Sequence, residues 1–251
     1  MKDFLTRWDS FVEKHGISGS TLKILAYFIM FIDHTAAMLI QPYAYKNVGN
    51  MPYESFERMS RLYDIMRGVG RIAFPIFCFL LVEGYFHTKN VYRYALSLFV
   101  MAIVSEPAFD LALYGKFFDP SYQNVAFTLL LSLVAIFCVD RFALNEKYTA
   151  LVRVIIFYVS VGLCMLIAWL LKTDYSFKGV IAVVIMFLFH KIRPVALLAG
   201  EAIFEYEPTA FFSLIPLMLY NGKRGLKIKY LFYLVYPGHL LLIWLISRVL
   251  L

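Results

Sequence analysis

The chain has 251 residues, of which 61% are hydrophobic and 16% charged, and its mean hydropathy is +0.71. A soluble domain carries about a quarter charged residues and fewer apolar ones, so this composition excludes an ordinary soluble protein. The formal charge of +7 does not require a nucleic-acid partner, because lysine and arginine also accumulate in the cytoplasmic loops of membrane proteins.

The first 20 residues are polar overall and lack the apolar core and small-residue cleavage site of a signal peptide. Apolar side chains nevertheless recur there at helical spacing, namely Phe4, Leu5, Trp8, Phe11 and Val12. This pattern predicts an amphipathic helix that lies on the membrane surface over residues 1–20. The alternative is a disordered tail.

The rest of the chain contains apolar runs long enough to cross a bilayer, which needs about 20 residues of helix. The run Val154 to Leu171, for example, has 18 residues without a charge. The pattern predicts helices near 22–41, 71–88, 92–114, 124–141, 151–171, 178–190, 194–206, 208–221 and 230–250. Because residues 194–221 form either one broken helix or two, we expect eight or nine spans. The fold class is therefore all-α, a polytopic helical membrane protein with one domain over residues 21–251.

The distribution of lysine and arginine predicts the orientation. With nine spans and the N-terminus inside, 15 of the 24 basic residues fall in inner segments, as the positive-inside rule requires. The outer segment 42–71 departs from the rule with five basic residues, namely Lys46, Arg58, Arg61, Arg67 and Arg71. This segment also has an apolar stripe, which predicts a helix packed on the membrane face. The stripe consists of Phe56, Met59, Tyr63 and Met66.

Several ionisable residues interrupt the apolar segments, namely Asp33, His34, Glu83, His87, Glu106, Asp110 and His239. Each costs about 2.5–3.5 kcal/mol to insert at mid-depth, so their number indicates a shared polar interior. Adjacent helical residues point about 100° apart, and only residues three or four apart face each other. Asp33 is therefore expected to contact Arg71, while His34 takes a partner such as Glu106 or Glu83 from another helix.

Two other groups of residues have a plain structural interpretation. Cys78, Cys138 and Cys164 lie in apolar segments at unrelated spacings, which predicts neither disulfides nor a metal site. The loop 221–230 concentrates four positive charges after an Asn-Gly turn. Topology alone explains such a loop, and a docking place for phosphates is the functional alternative.

The chain resembles the TraX family, whose founding members acetylate the N-terminal residue of conjugative pilin. The resemblance covers about residues 22–250 and is carried by long blocks, which read "FIDHTAAML", "GVGRIAFPIFCFLLVEGYFHTKNVYRYALSL", "SEPAFDLAL", "QNVAFTLLLSL", "LYNGKRG" and "KYLFYLVYPGHLLLI". TraX proteins are in turn similar to a wider group of transmembrane acyltransferases. The resemblance thus implies an enzyme that moves an acyl group from cytoplasmic acyl-CoA, in the first place acetyl-CoA, to an amine or hydroxyl.

The resemblance also implies roles for single residues. His34 would be the base or a transient acyl carrier, with His239 as the second candidate and Asp33 or Glu106 as the group that orients or stabilises the histidine. Substrate contacts would come from Arg71, Glu83, Asn124, Thr128 and Asn221. The phosphates of CoA would be held by Lys223, Arg224 and Lys227.

The partners implied are the lipid bilayer, acyl-CoA and an unidentified protein, peptide or glycan acceptor, in a bacterial cytoplasmic membrane with the N-terminus inside. The sequence identifies neither the acceptor nor the oligomeric state. A different class of function also fits the residues, a proton-coupled transporter or exporter in which Asp33, His34, Glu83 and Glu106 form a relay.

Overall fold

A computed structural model describes residues 10–226 and 229–250 of the chain. Residues 10–15 are helical, and the remainder of the surface helix predicted for residues 1–20, with Phe4, Leu5 and Trp8, lies outside the described residues. No β-strand occurs in this described part, which has only two isolated bridges, Ile17 with Tyr220 and Gln123 with Thr173. The all-α prediction is confirmed.

The chain divides into two compact units, and the first combines both ends of the chain, Met1–Leu80 and Tyr206–Leu251. Its elements are α1 (Gly19–Thr35), a π-helical turn (Ala36–Ile40), α2 (Gln41–Lys46), α3 (Tyr53–Gly70) and the start of α4 (Ala73–His87), followed after the second unit by a 3₁₀ turn (Pro208–Ser213), α10 (Leu214–Met218) and α11 (Lys229–Leu250). The single domain expected over residues 21–251 stays a prediction.

The second unit spans Leu81–Glu205. It holds the end of α4, α5 (Val91–Tyr114), α6 (Val125–Cys138) with a π-helical turn (Val139–Ala143), α7 (Ala150–Leu170), α8 (Ser176–Leu188), α9 (Arg193–Glu201) and a 3₁₀ turn (Ala202–Phe204). Several starts follow from capping, since Asn90, Asn124 and Thr149 each accept a hydrogen bond from a backbone N–H of the first turn.

Six helical segments of the described chain are long and apolar enough to cross a membrane: Gly19–Lys46, Tyr53–His87, Val91–Tyr114, Val125–Ala143, Ala150–Leu170 and Leu231–Leu250. Two shorter apolar helices accompany them, Ser176–Leu188 and Pro208–Met218. The multi-pass membrane fold is thus confirmed, whereas the total of eight or nine spans stays a prediction. The segment 42–71 differs from expectation, because its helix α3 packs against α1 and continues towards α4.

Helices α1 and α11 run parallel in a fixed register. The hydroxyl of Tyr27 donates a hydrogen bond of 2.9 Å to the carbonyl of Phe232, and these two rings stack at a centroid distance of 5.6 Å. Seven residues further along both helices, His34 meets His239. Positions seven apart lie on one face of a helix, so one stripe of α1 faces one stripe of α11.

The loop after α10 closes over the first turn of α1. The backbone N–H groups of Gly19 and Ser20 donate to the carbonyls of Lys223 and Arg224 at 2.8 and 3.0 Å. Gly225 has a φ of +74°, and a Cβ atom there would overlap the hydroxyl groups of two serines at the helix start. Glycine is therefore required at this position, both for its backbone angle and for the close approach.

Helix α3 packs antiparallel to α1 and α2. The carboxylate of Asp33 on α1 contacts the guanidinium of Arg67, and the ring of Tyr45 on α2 meets that of Phe56, near the start of α3, edge-on. The helices approach closely beside the ion pair, because a Cβ atom at Gly70 would overlap the Asp33 carboxylate. A small residue at position 70 thus lets Asp33 reach Arg67.

Candidate active site

Two histidines from distant parts of the chain lie side by side in the first unit. Nδ1 of His34, on α1, is 2.7 Å from Nε2 of His239, on α11. Their rings are nearly parallel, with planes 7° apart and centroids 5.0 Å apart. Phe31, one turn before His34, meets the His239 ring at 62°. The two histidines are therefore positioned both by a hydrogen bond and by ring contacts.

The hydrogen bonds of this pair assign its protons. Nδ1 of His239 is 2.9 Å from the carbonyl oxygen of Val235, and a carbonyl only accepts, so this nitrogen carries the hydrogen. In a neutral imidazole the other nitrogen is then an acceptor, so His34 donates from Nδ1 to His239. Nε2 of His34 is left with a lone pair that takes no part in these bonds, as a base or a nucleophile requires.

Asp33 faces a different helix from its neighbour, as the 100° step between them requires. Its carboxylate lies 2.5 Å from Arg67, with side-chain exposures of 14% for Asp33 and 24% for Arg67. The sequence pattern predicts Arg71 in this role. In the structure Arg67, one turn earlier on α3, holds the Asp33 carboxylate, and Arg71 lies 3.1 Å from Glu207. The Asp33–Arg67 pair thus joins α1 to α3, and the Arg71–Glu207 pair lies just beyond the end of α3.

The carboxylates expected to accompany His34 have other partners within the second unit. Glu83 lies 3.0 Å from Nε2 of His190, and its backbone carbonyl accepts a hydrogen bond from His87. Glu106 accepts hydrogen bonds from the backbone N–H and the side-chain amide of Asn124. In place of a carboxylate, His34 has His239 as its hydrogen-bond partner.

Asn124 and Thr128 are fully buried side chains that join elements of the second unit. The Asn124 amide donates 2.9 Å to the carbonyl of Ala102 on α5, and its carbonyl oxygen caps α6 by accepting from the N–H of Ala126 at 3.0 Å. The hydroxyl of Thr128 lies 2.9 Å from that of Thr173. Both residues were expected to bind substrate, and in the structure their polar atoms bind protein groups.

Replacing Asn124 by alanine is expected to lower the free energy of unfolding by about 2–4 kcal/mol. The change removes a helix cap and takes a buried side-chain donor away from the carbonyl of Ala102 and from the carboxyl group of Glu106, which keeps only the backbone N–H of residue 124. Thermal unfolding in detergent micelles would measure the loss. The matched control is Asn145→Ala, because the half-buried amide of Asn145 makes only loop contacts, a long bond of 3.5 Å to the carbonyl of Arg141 and one of 3.0 Å from the N–H of Lys147. Equal stability of the two variants would contradict the bridging role of Asn124.

The side chains of the basic loop, residues 221–230, differ in whether they bind other groups of the protein. Asn221 uses its side chain within the loop region, donating 2.9 Å to the carbonyl of Gly16 and accepting from the N–H of Lys223 at 3.0 Å. The Lys223 ammonium donates to the carbonyl of Glu13 at 3.2 Å. Arg224 is exposed, and no partner of its guanidinium occurs among the described residues. Lys227 lies outside them.

The sequence pattern does not predict Arg67 or Glu207 as ion-pair partners near the site. The excess of positive charge over residues 42–71 pointed to the right segment, but which arginine meets Asp33 depends on how α1 and α3 pack.

Over residues 10–226 and 229–250, no three histidine, cysteine or acidic side chains come together as metal ligands would.

The helices, their apolar spans and the polar pairs inside them define a polytopic α-helical membrane protein. A family model described as "TraX protein" matches residues 18–247, and the chain belongs to the TraX family. A similar protein is the "Probable fimbrial assembly protein FimC, serogroup H1" of Dichelobacter nodosus, which is 26% identical over 247 residues, covering 90% of this chain and 94% of that protein. No solved structure matches the chain significantly.

Proposed function

We propose that the protein is a membrane acyltransferase that moves an acyl group, in the first place acetyl, from cytoplasmic acyl-CoA to an amine or hydroxyl of an acceptor at the cell envelope. The observation that carries the proposal is the free Nε2 lone pair of His34 beside His239. Acyl transfer needs a base that removes the acceptor proton, and histidine is the most frequent choice.

The histidine pair supplies the proton steps of this reaction. As the acceptor nitrogen or oxygen forms its bond to the acyl carbon, Nε2 of His34 takes the acceptor proton. The carbon–sulfur bond of the thioester breaks, and the same nitrogen returns the proton to the leaving thiolate. While His34 is charged, its Nδ1–H stays bonded to the neutral Nε2 of His239, which stabilises the imidazolium. Acyl-CoA supplies the activated acyl group, and transient acylation of Nε2 is the alternative course.

The charge and the position of the basic loop both suit the binding of acyl-CoA, the acyl donor. Lys223 and Arg224 are exposed cations at the start of α1, where their carbonyls bind the first N–H groups of that helix. His34 follows Gly19 by 15 residues, about 22 Å along the helix axis. A donor whose phosphates bind at the loop must therefore carry its reactive group on a long arm, and CoA carries its thioester on such an arm.

Replacing Lys223 and Arg224 together by alanine is expected to raise KM for acetyl-CoA about tenfold and to leave kcat nearly unchanged. The two cations contribute charge to phosphate binding and lie far from the bond that reacts, so they bind ground state and transition state equally. Steady-state release of CoA thiol would separate the two constants. Lys147→Ala, the loss of an exposed lysine in another loop, is the control. A fall in kcat with KM unchanged would contradict the assignment.

The acceptor is expected to be a component of the cell envelope. The Dichelobacter nodosus relative carries the name of a fimbrial assembly protein, which favours a surface-filament subunit as the first candidate here, modified in the bacterial cytoplasmic membrane. Mass spectrometry of surface proteins and glycans from strains with and without the gene would test this. Loss of one acyl mass on one species would identify the acceptor, and identical spectra would contradict the proposal.

The transporter alternative requires Asp33, His34, Glu83 and Glu106 to pass protons along one chain. Each has its own partner in the structure, respectively Arg67, His239, His190 and Asn124. This arrangement favours separate sites over a single relay. Uptake into vesicles that depends on a pH gradient and needs no CoA would favour the transporter instead.

A further inference from the structure

A cavity opens between α2 and α3 in the first unit, beyond the Asp33–Arg67 pair. Its volume is about 190 Å³, below the roughly 300–1,000 Å³ of sites for whole small molecules. The residues that give it chemical character are Gln41, Tyr45, Phe56, Ser60, Tyr63 and Asp64. A space of this size and polarity fits the end of one side chain or a similar small group.

The π-helical turn after α1 creates this lining. Within the turn the N–H of Gln41 bonds to the carbonyl of Ala36, five residues back instead of four. One extra residue in a turn rotates all later residues by about 100°. Gln41, eight residues after Asp33, therefore lies about 20° from the Asp33 direction, whereas a regular helix would place it about 80° away. The wide turn brings Gln41 onto the face that packs on α3.

Asp64 gives the cavity a negative charge. The other carboxylates of α3 have cations beside them, since Glu54 lies near Arg58 and Glu57 contacts Arg61. The Asp64 carboxylate is exposed and has no hydrogen bond or ion pair within the described part of the chain. Among the residues that the structure describes, no lysine or arginine lines the cavity. A ligand with a positive charge is thus the one that complements this wall.

The aromatic rings of the cavity select the same kind of ligand. Tyr45, Phe56 and Tyr63 line it together with Met59, and ring faces attract ammonium and guanidinium groups. An anion would meet the Asp64 carboxylate, which repels it. A neutral polar group could form hydrogen bonds with Gln41, Ser60 or the tyrosine hydroxyls, but it would leave the Asp64 charge without a counter-ion.

We propose that this cavity is a specificity pocket for a positively charged group of the acceptor, an ammonium or a guanidinium, held by Asp64 and the surrounding rings. The inference rests on the proposed function for the identity of the ligand as an acceptor. Asp64 precedes Arg67 by three residues, so the pocket begins about 5 Å along the helix axis from the Asp33–Arg67 pair, away from the basic loop.

This position distinguishes the bound group from the reacting one. A reacting amine or hydroxyl must come within about 3 Å of the His34 ring, whereas a group held at Asp64 lies about one turn beyond Asp33. The pocket therefore binds a group of the acceptor other than the one that reacts. It selects acceptors that carry a cationic group in addition to the reacting amine or hydroxyl over those without one.

The test is binding of n-butylammonium to the purified full chain in detergent micelles, followed by saturation-transfer NMR. We expect wild-type protein to bind n-butylammonium and D64N to bind it about tenfold more weakly. The matched control E54Q removes an equal charge from an exposed site on the same helix and is expected to bind as wild type does. n-Butanol, a neutral analogue of similar length, is expected to show no measurable binding to the wild-type protein or to either variant.

Equal binding of n-butylammonium to D64N and wild type, or equal binding of n-butanol and n-butylammonium, would overturn the pocket. Because Asp64 has no hydrogen bond or ion pair within the described residues, D64N is expected to unfold at the wild-type temperature, which separates loss of binding from loss of fold. The measurement needs no acyl transfer. An absence of acyltransferase activity would therefore contradict the proposed function while leaving the cation site itself open to this separate test.

Discussion

Replacing His34 by alanine is expected to lower the rate of CoA-thiol release from acetyl-CoA by about 10²–10⁴-fold, the usual contribution of a positioned general base. The lost group is the nitrogen that takes the acceptor proton, so the loss should fall on kcat rather than on KM. His239→Ala should reduce the rate less, because it removes the acceptor that holds the Nδ1 proton of His34 and leaves the base itself in place.

The control for this experiment is Tyr27→Phe, on the same stripe of α1 and seven residues earlier. It removes one hydrogen bond between α1 and α11, worth about 1 kcal/mol, without touching the histidines. We expect Tyr27→Phe to retain its rate within about twofold. Full activity of a folded His34→Ala variant would exclude His34 as the base.

Replacing Gly70 by alanine is expected to destabilise the protein by about 2–3 kcal/mol, although glycine to alanine in a helix ordinarily stabilises by up to about 1 kcal/mol. The added methyl group would overlap the Asp33 carboxylate and separate it from Arg67. A fully buried pair that loses a partner costs about 3–5 kcal/mol, and partial exposure of both side chains reduces that figure.

Gly162→Ala is the matched control, because Gly162 lies inside α7 and a Cβ atom there would meet nothing within 4 Å. We expect that variant to be as stable as wild type or more stable. Thermal unfolding of both variants in the same detergent gives the comparison. If Gly70→Ala also gained stability, the close approach of α3 to Asp33 would be incorrect.

The sequence predicted most helices to within a few residues because apolar length and capping are local properties. The helix expected at 92–114 is observed as Val91–Tyr114, where Asn90 caps its first turn. The π-helical turn after α1 was not predicted, since an i to i−5 hydrogen bond has no signature in composition. Without that turn, the position of Gln41 relative to α3 also escapes prediction.

The site was predictable as a set of residues but not as a set of contacts. His34 and His239 were both expected to be candidates, yet their hydrogen bond depends on the register of two helices 205 residues apart. The choice between Arg67 and Arg71 for Asp33 depends on a similar detail, the depth at which α3 packs against α1. Such distances arise from packing and leave no periodic pattern in the sequence.

The parallel pairing of α1 with α11 has a consequence for the time at which the protein becomes active. During synthesis α1 is made before α11, so His34 waits for its partner until the 205 residues that separate the two histidines have been made. The Asp33–Arg67 contact, only 34 residues apart in the sequence, can form much earlier. A chain that ends before α11 would keep that ion pair and still have no histidine pair, so incomplete molecules in the membrane are expected to transfer acyl groups more slowly than complete ones.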